Sequence, residues 1–348
     1  EGFETFLYVP ATTSRSGVHI HDSIDTKRTM SVVILALMPA LLFGMYNVGY
    51  QHYLAIGELS AVGFWTIFFF GFLAVLPKII VSYVVGLGIE FVVAQWRGHE
   101  IQEGFLVSGI LIPLIVPVDT PLWMIDVATA FAVIFAKEVL GGTGMNIFNL
   151  ALVTRAFLFF AYPSKMSGDG VFVRTADTFG LGAGRVVDTF TGATPLGQVA
   201  THSGGDLVLH NIVGEPLSTL DYFLGLIPGS IGETSMLAIL LGAVVLLWTG
   251  IASWRVMLSV FVGGLAMGAL ASLFPSTVYP GSMLSPIAQI CLGGFAFAAV
   301  FMATDPVTGA RTRTGQYIYG FLIGVIAILI RVYNTGYPEG AMLAVLLM

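Results

Sequence analysis

The chain has 348 residues, 56% of them apolar and only 10% charged, with a net charge of −6 and a mean hydropathy of +0.90. A water-soluble domain carries about 25% charged residues, so most of this surface must face lipid. The 14 scattered Lys and Arg exclude a nucleic-acid-binding face, and the single cysteine, Cys291, excludes an intrachain disulfide or an iron–sulfur cluster.

The N-terminus carries no basic-then-apolar signal segment, and residues 1–29 read as a cytoplasmic N-terminal segment. A spanning helix needs about 20 mostly apolar residues. Runs of that kind lie at 30–48, 61–76, 79–96, 104–117, 121–140, 234–250, 256–274, 286–303, 317–331 and from 338 onward. They predict an all-α polytopic membrane protein with roughly ten spans, arranged as a first membrane half (30–162), a polar loop (163–219) and a second membrane half (220–348). The run 104–117 is interrupted by Pro113 and Pro117, as in broken helices that line sites. The apolar runs 147–161 and 220–229 read as half-helices or interfacial pieces. Glu103-Gly104 and Gly232-Glu233 each precede an apolar run, with Trp123 and Trp254 at similar distances downstream, an echo expected of two related five-helix halves. Chance similarity of two Leu/Ile-rich stretches explains it as well. The last residues, Gly340 to Met348, are still in an apolar run, so the chain is expected to continue. The placement of Lys and Arg in the short loops puts both termini in the cytoplasm and loop 163–219 outside, with Arg97 the exception.

Lipid offers no partners for the backbone of 163–219, at several kcal/mol per group, so this Gly/Thr/Ser/Asp-rich stretch is expected to form an extramembrane cap or to pack between helices. It contains Asp188-Thr189-Phe190-Thr191-Gly192-Ala193-Thr194. An Asp, two spacers, a small hydroxyl residue, Gly, Ala and Thr form the pattern read by flavin transferases, which esterify the last Thr hydroxyl to the phosphate of FMN. Thr194 supplies the hydroxyl that a phosphoester needs. Gly192 and Ala193 leave the backbone open to a modifying enzyme. Asp188 is placed to position the flavin donor in the transferase, Thr191 keeps the small hydroxyl, and Pro195 stiffens the chain beyond the attachment point. An accidental match in an ordinary solvent loop is the bland alternative.

Other polar residues stand inside apolar surroundings. An ionised carboxylate at mid-bilayer costs about 2.5–3.5 kcal/mol, which makes Glu90 a functional candidate. A snorkelling role near Trp96 explains it equally. Asp305 is a candidate for an ion pathway or quinone chemistry, or simply the start of an Asp-Pro turn. Lys137-Glu138 reads as part of a helix-end ion pair. Asn146 and Asn149 are one helical turn apart and can face one ligand, although Asn also caps helices. Gly141–Gly144 lacks the following Lys-Ser/Thr of a phosphate loop, and Gly180–Gly184 lacks the strand of a dinucleotide fold.

Over nearly its whole length the chain resembles the B subunit of the bacterial sodium-translocating NADH:quinone oxidoreductase. The likeness rests on the attachment motif and on the blocks His19–Met30, Gly44–Gly49, Gly98–Gly104, Lys137–Asn149, Arg155–Pro163, Ile227–Glu233, Phe301–Pro306 and Tyr337–Gly340. The D subunit of the Rnf-type ferredoxin:NAD oxidoreductase shares the motif and fold, but His19–Met30 and Arg155–Pro163 look more like the sodium pump. The resemblance implies a ten-helix inner-membrane protein with covalent FMN on Thr194 and a second, noncovalent riboflavin near Asn146 and Asn149. It implies a quinone near Gly86 and Glu90, with Phe157 and Phe159 in the same region. It also implies partner subunits, one carrying a second FMN and one oxidising NADH with FAD and an iron–sulfur centre, as well as sodium as the exported ion and a flavin transferase for maturation. Two departures stand out: Leu150 where the family usually has Pro, and Thr191 where Ser is commoner. A repeat-built channel or transporter without cofactor is the reading from another class.

Overall fold

The computed structural model describes residues 16–18, 26–98, 104–167, 170–182, 192–334, 336 and 339–348. No β-strand occurs among them, and the chain is an all-helical membrane protein. Four helices are long and apolar enough to cross a membrane. These are α1 (Thr26–Ala55), α2 (Phe64–Arg97), α9 (Trp254–Ser272) and α11 (Arg313–Tyr333). Shorter helices fill the bundle between them. They are α3 (Phe105–Leu114), α4 (Leu122–Phe131), α5 (Leu150–Ala161), α6 (Pro195–Thr201), α7 (Thr219–Leu224), α8 (Met236–Trp248), α10 (Pro286–Cys291) and α12 (Ala341–Leu347).

The largest departure from the sequence reading is α2. The runs 61–76 and 79–96, expected as two spans, are one helix of 34 residues that passes through Pro77 and Lys78. At 1.5 Å per residue it is about 51 Å long, so it overshoots a hydrocarbon core of about 30 Å or tilts within it. Proline removes one backbone donor, which neighbouring helices can compensate in a packed bundle. Arg97 ends the helix, and Gly98 caps it in the left-handed region at φ 68°. The run 286–303 departs in the opposite sense. It is broken at Leu292–Gly294, with α10 before the break and a short helical stretch with a π-turn (Ala298–Met302) after it. A second π-turn, Ala132–Glu138, extends α4. Among the described residues, long helices are thus interleaved with broken ones.

The breaks meet inside the protein. α3 stops at Ile115, and its freed carbonyls need partners that lipid cannot supply. Gly232 N–H donates to Leu114 O at 2.7 Å, and Ile231 N–H donates to Val116 O at 3.3 Å. Asn47 of α1 holds the same loop by donating to Ile227 O at 2.9 Å and to Thr234 Oγ1 at 3.3 Å. A side chain on Gly44 would strike the Ile231 carbonyl, so glycine is what lets this loop lie against α1.

α1 and α2 pack antiparallel through small residues. A Cβ on Gly71 would collide with the carbonyl of Met45, and one on Gly49 with that of Ile67. Small residues permit this backbone approach in lipid, where helix association relies on close packing. Gly71→Val is therefore expected to destabilise the protein by at least the 1–3 kcal/mol typical of overpacking. Thermal unfolding of the detergent-solubilised protein measures it, and an unchanged midpoint would contradict the packing.

Candidate functional site

Two cavities collect most of the polar residues singled out in the sequence. The larger encloses about 860 Å³, a figure that counts the open solvent at its mouth. Asn146, Asn149, Asp305, Lys137 and Thr143 line its polar side, while Val33, Leu111, Leu246 and Phe301 are among its apolar walls. Residues from both halves of the chain thus converge on one chamber.

Asn149 occupies two roles there. Its Oδ1 caps α5 by accepting from Ala151 N–H at 3.1 Å and Leu152 N–H at 3.3 Å, while its Nδ2 donates to Asp305 Oδ2 at 3.0 Å. Leu150 falls at the first helical position, where proline is favoured in helices generally, so its substitution leaves the helix start intact. Asn146 closes a local turn, accepting from Gly144 N–H and donating to Phe148 O. Asp305 also starts its Asp-Pro turn, with Oδ1 accepting from Val307 N–H at 2.9 Å. Burial pushes its carboxyl above the usual range, against the hydrogen bonds from Val307, Asn149 and Thr308. Thr143 Oγ1 is buried without a partner. The chamber is thus amphipathic. Asn149→Ala removes the cap and the Asp305 donor together. It is expected to cost about 1 kcal/mol for the cap and more for the carboxylate, read as a lowered unfolding midpoint against an Asn146→Ala control.

Lys137 connects this chamber to α2. It forms an ion pair with Glu90, both side chains being buried. The ion pair expected to involve Lys137-Glu138 is formed by Lys137 with Glu90 of α2, and the Glu138 carbonyl accepts from Arg97 at 2.9 Å. The π-turn widens the helix at Lys137, and such turns accumulate at functional positions. Glu90 Oε2 has no hydrogen-bond partner. Gly86 lies one turn earlier on the same buried face of α2, where any Cβ would collide with the Phe105 ring. Phe157 stacks on Phe131 with centroids 4.7 Å apart, and Phe159 packs against Phe160 at 5.5 Å. The structure thus brings Gly86, Glu90 and Lys137 together and leaves both phenylalanines on α5, packed in these aromatic pairs.

The smaller cavity, about 360 Å³ with the open solvent at its mouth counted, is lined by Thr194, Ser230, Glu233, Gly293, Gly294 and Glu339 among others. Asp188 and Thr191 lie outside the described residues. Gly192 is buried, while Ala193 and Thr194 are half-buried. Thr194 caps α6: its Oγ1 accepts from Gly197 N–H at 3.0 Å, and Pro195 takes the first helical position. The hydroxyl donates to no described group, so esterification removes no bond, and the residue fits an attached phosphate.

The sequence reading missed the residues behind this cavity. Arg155 of α5 donates to both carboxylate oxygens of Glu233 at 2.8 Å and forms an ion pair with Glu339. Arg331 donates to the carbonyls of Gln289, Leu292, Gly293 and Glu339. A signal was present, since an arginine in the middle of an apolar run pairs with a carboxylate or with backbone carbonyls.

The family profile described as NQR2, RnfD, RnfE matches residues 13–348. The chain is 43% identical to the B subunit of the Na(+)-translocating NADH-quinone reductase of Chromohalobacter salexigens, over 99% of this chain and 84% of that protein. It is 43% identical to the protein of the same name from Pseudomonas paraeruginosa and 42% identical to that from Azotobacter vinelandii, each over 99% of this chain and 87% of the relative. A match across nearly every described element, at this identity, makes the chain a member of the NQR2, RnfD, RnfE family.

Proposed function

We propose that the chain is the membrane electron-transfer component of a sodium-exporting NADH:quinone reductase, with FMN esterified to Thr194, riboflavin in the larger chamber and quinone reduced beside Gly86 and Glu90. The observation that carries the reading is the Thr194 hydroxyl, which donates to no described residue and lines a cavity. The named relatives are subunits of such a reductase. An iron–sulfur relay falls to partner subunits, because the single cysteine cannot hold a cluster. The flavins supply the redox chemistry, and the protein sets distance, polarity and access. Thr194 fixes the attachment point and α6 holds its backbone. Asn146, Asn149 and Thr143 offer hydrogen-bonding groups to the second ligand, and Lys137 with Glu90 carries charge from the chamber to the face of α2. On this reading the protein sits in the bacterial inner membrane with the Thr194 loop outside.

Mass spectrometry of the peptide containing Thr194, from the protein matured in its own complex, tests the attachment. A mass increase of one FMN less one water, localised to Thr194, is expected; a peptide with the mass of its amino acids alone overturns it. Sodium-stimulated quinone reduction with NADH separates this reading from a ferredoxin-driven complex of the Rnf type.

A further inference from the structure

Beneath Thr194 lie four buried or half-buried charges to which the proposed electron path gives no part. Glu233 and Glu339 line the cavity that Thr194 also lines. Arg155 neutralises them from behind, bidentate to Glu233 and paired with Glu339, and its other nitrogen reaches Ser230 Oγ at 3.4 Å. Arg331 lies within electrostatic reach of Glu339 and is held by four carbonyls at the breaks of the chain. Among the described residues, two cations thus face two anions. The glycines make the fit tight, since a Cβ on Gly294 would come within 2.7 Å of the Glu233 carboxyl carbon and one on Gly293 would collide with Leu196 of α6. The cluster is therefore in packing contact with the helix that begins at Thr194.

We propose that Arg155, through its pairing with Glu233 and Glu339, is a positioning residue that holds the charge of this cavity at zero and thereby sets the reduction potential of the flavin carried by Thr194. The inference rests on the FMN reading above. Adding an electron to a flavin adds negative charge, and two uncompensated carboxylates at the wall would oppose it. Buried and partly buried charges are screened less than exposed ones. The sign follows directly: removing the Arg155 charge makes the flavin harder to reduce, and removing a carboxylate makes it easier. A purely structural lock between α5 and the Ser230–Glu233 loop predicts misfolding or loss of flavin, and no shift whose sign follows the charge.

The test is spectroelectrochemical titration of the covalently bound flavin in the assembled complex, for wild type, Arg155→Met, Glu233→Gln, Glu339→Gln and the Arg155→Met/Glu233→Gln double variant. Expected are a potential lowered in Arg155→Met, raised in each Gln variant and near wild type in the double variant. Each single shift corresponds to about a tenfold change in the reduction equilibrium, about 59 mV for a one-electron couple. Unshifted potentials, or shifts of one sign throughout, overturn the proposal. If Arg155→Met fails to assemble, the two Gln variants, in which Arg155 keeps one carboxylate partner, still decide it. A wild-type protein without covalent flavin sinks the FMN reading instead, and the fluorescent band of the denatured chain tells the two failures apart.

Discussion

Thr194→Val is expected to abolish the ultraviolet-fluorescent band of the denatured chain while leaving a folded protein in the membrane. Valine matches the shape of threonine but has no oxygen to esterify. The structural cost is confined to the lost cap at Gly197 N–H, about 1 kcal/mol, because the α6 backbone is already preset by Pro195. Thr194→Ser keeps both cap and hydroxyl and is expected to retain part of the band. A fluorescent band surviving in Thr194→Val would move the attachment elsewhere. Loss of the protein itself from the membrane would show that the cap matters far more than its single hydrogen bond implies. Quinone reduction by the assembled complex is expected to fall with the band, since the chain would lack its tethered carrier.

Lys137→Met is expected to be the most destabilising single change outside the cluster at Arg155. Glu90 and Lys137 are both buried, and stripping one partner from a buried pair costs about 3–5 kcal/mol, because the other charge is left unpaired. Glu90→Gln belongs to the same class of damage. The double variant Lys137→Met/Glu90→Gln removes both charges and is expected to recover most of the unfolding midpoint. If Glu90 also serves the quinone, the double variant stays inactive despite its regained stability. Separate measurements of unfolding midpoint and quinone reduction therefore distinguish a structural pair from a functional one: joint recovery of both assigns the pair to structure alone.

The membrane class is legible from composition, because hydropathy is a local property of the chain. The continuity of 64–97 is not, because Pro77 and Lys78 mimic a loop in a reading based on hydropathy, whereas packing against α1 carries the helix straight through them. Asn149 illustrates a different limit. Of its two sequence readings the cap is the one expressed: one end of the amide caps α5, and the other meets Asp305. Lys137 is visible as a charge in an apolar run, but its neighbour Glu138 is nearer in sequence than Glu90, which is nearer in space. Arg155 pairs with nothing recognisable in the sequence, because its partners lie 78 and 184 positions away.

The crossing of residues 114–116 with 231–232 also bears on biogenesis. The carbonyl groups at the end of α3 are synthesised more than a hundred positions ahead of the amides that satisfy them. Until the ribosome has delivered that later segment, the nascent first half has a hole in its hydrogen bonding at membrane depth. A translation product stopping short of Ile227 should therefore be a substrate for membrane quality control, and the two halves should be rescued only when supplied together.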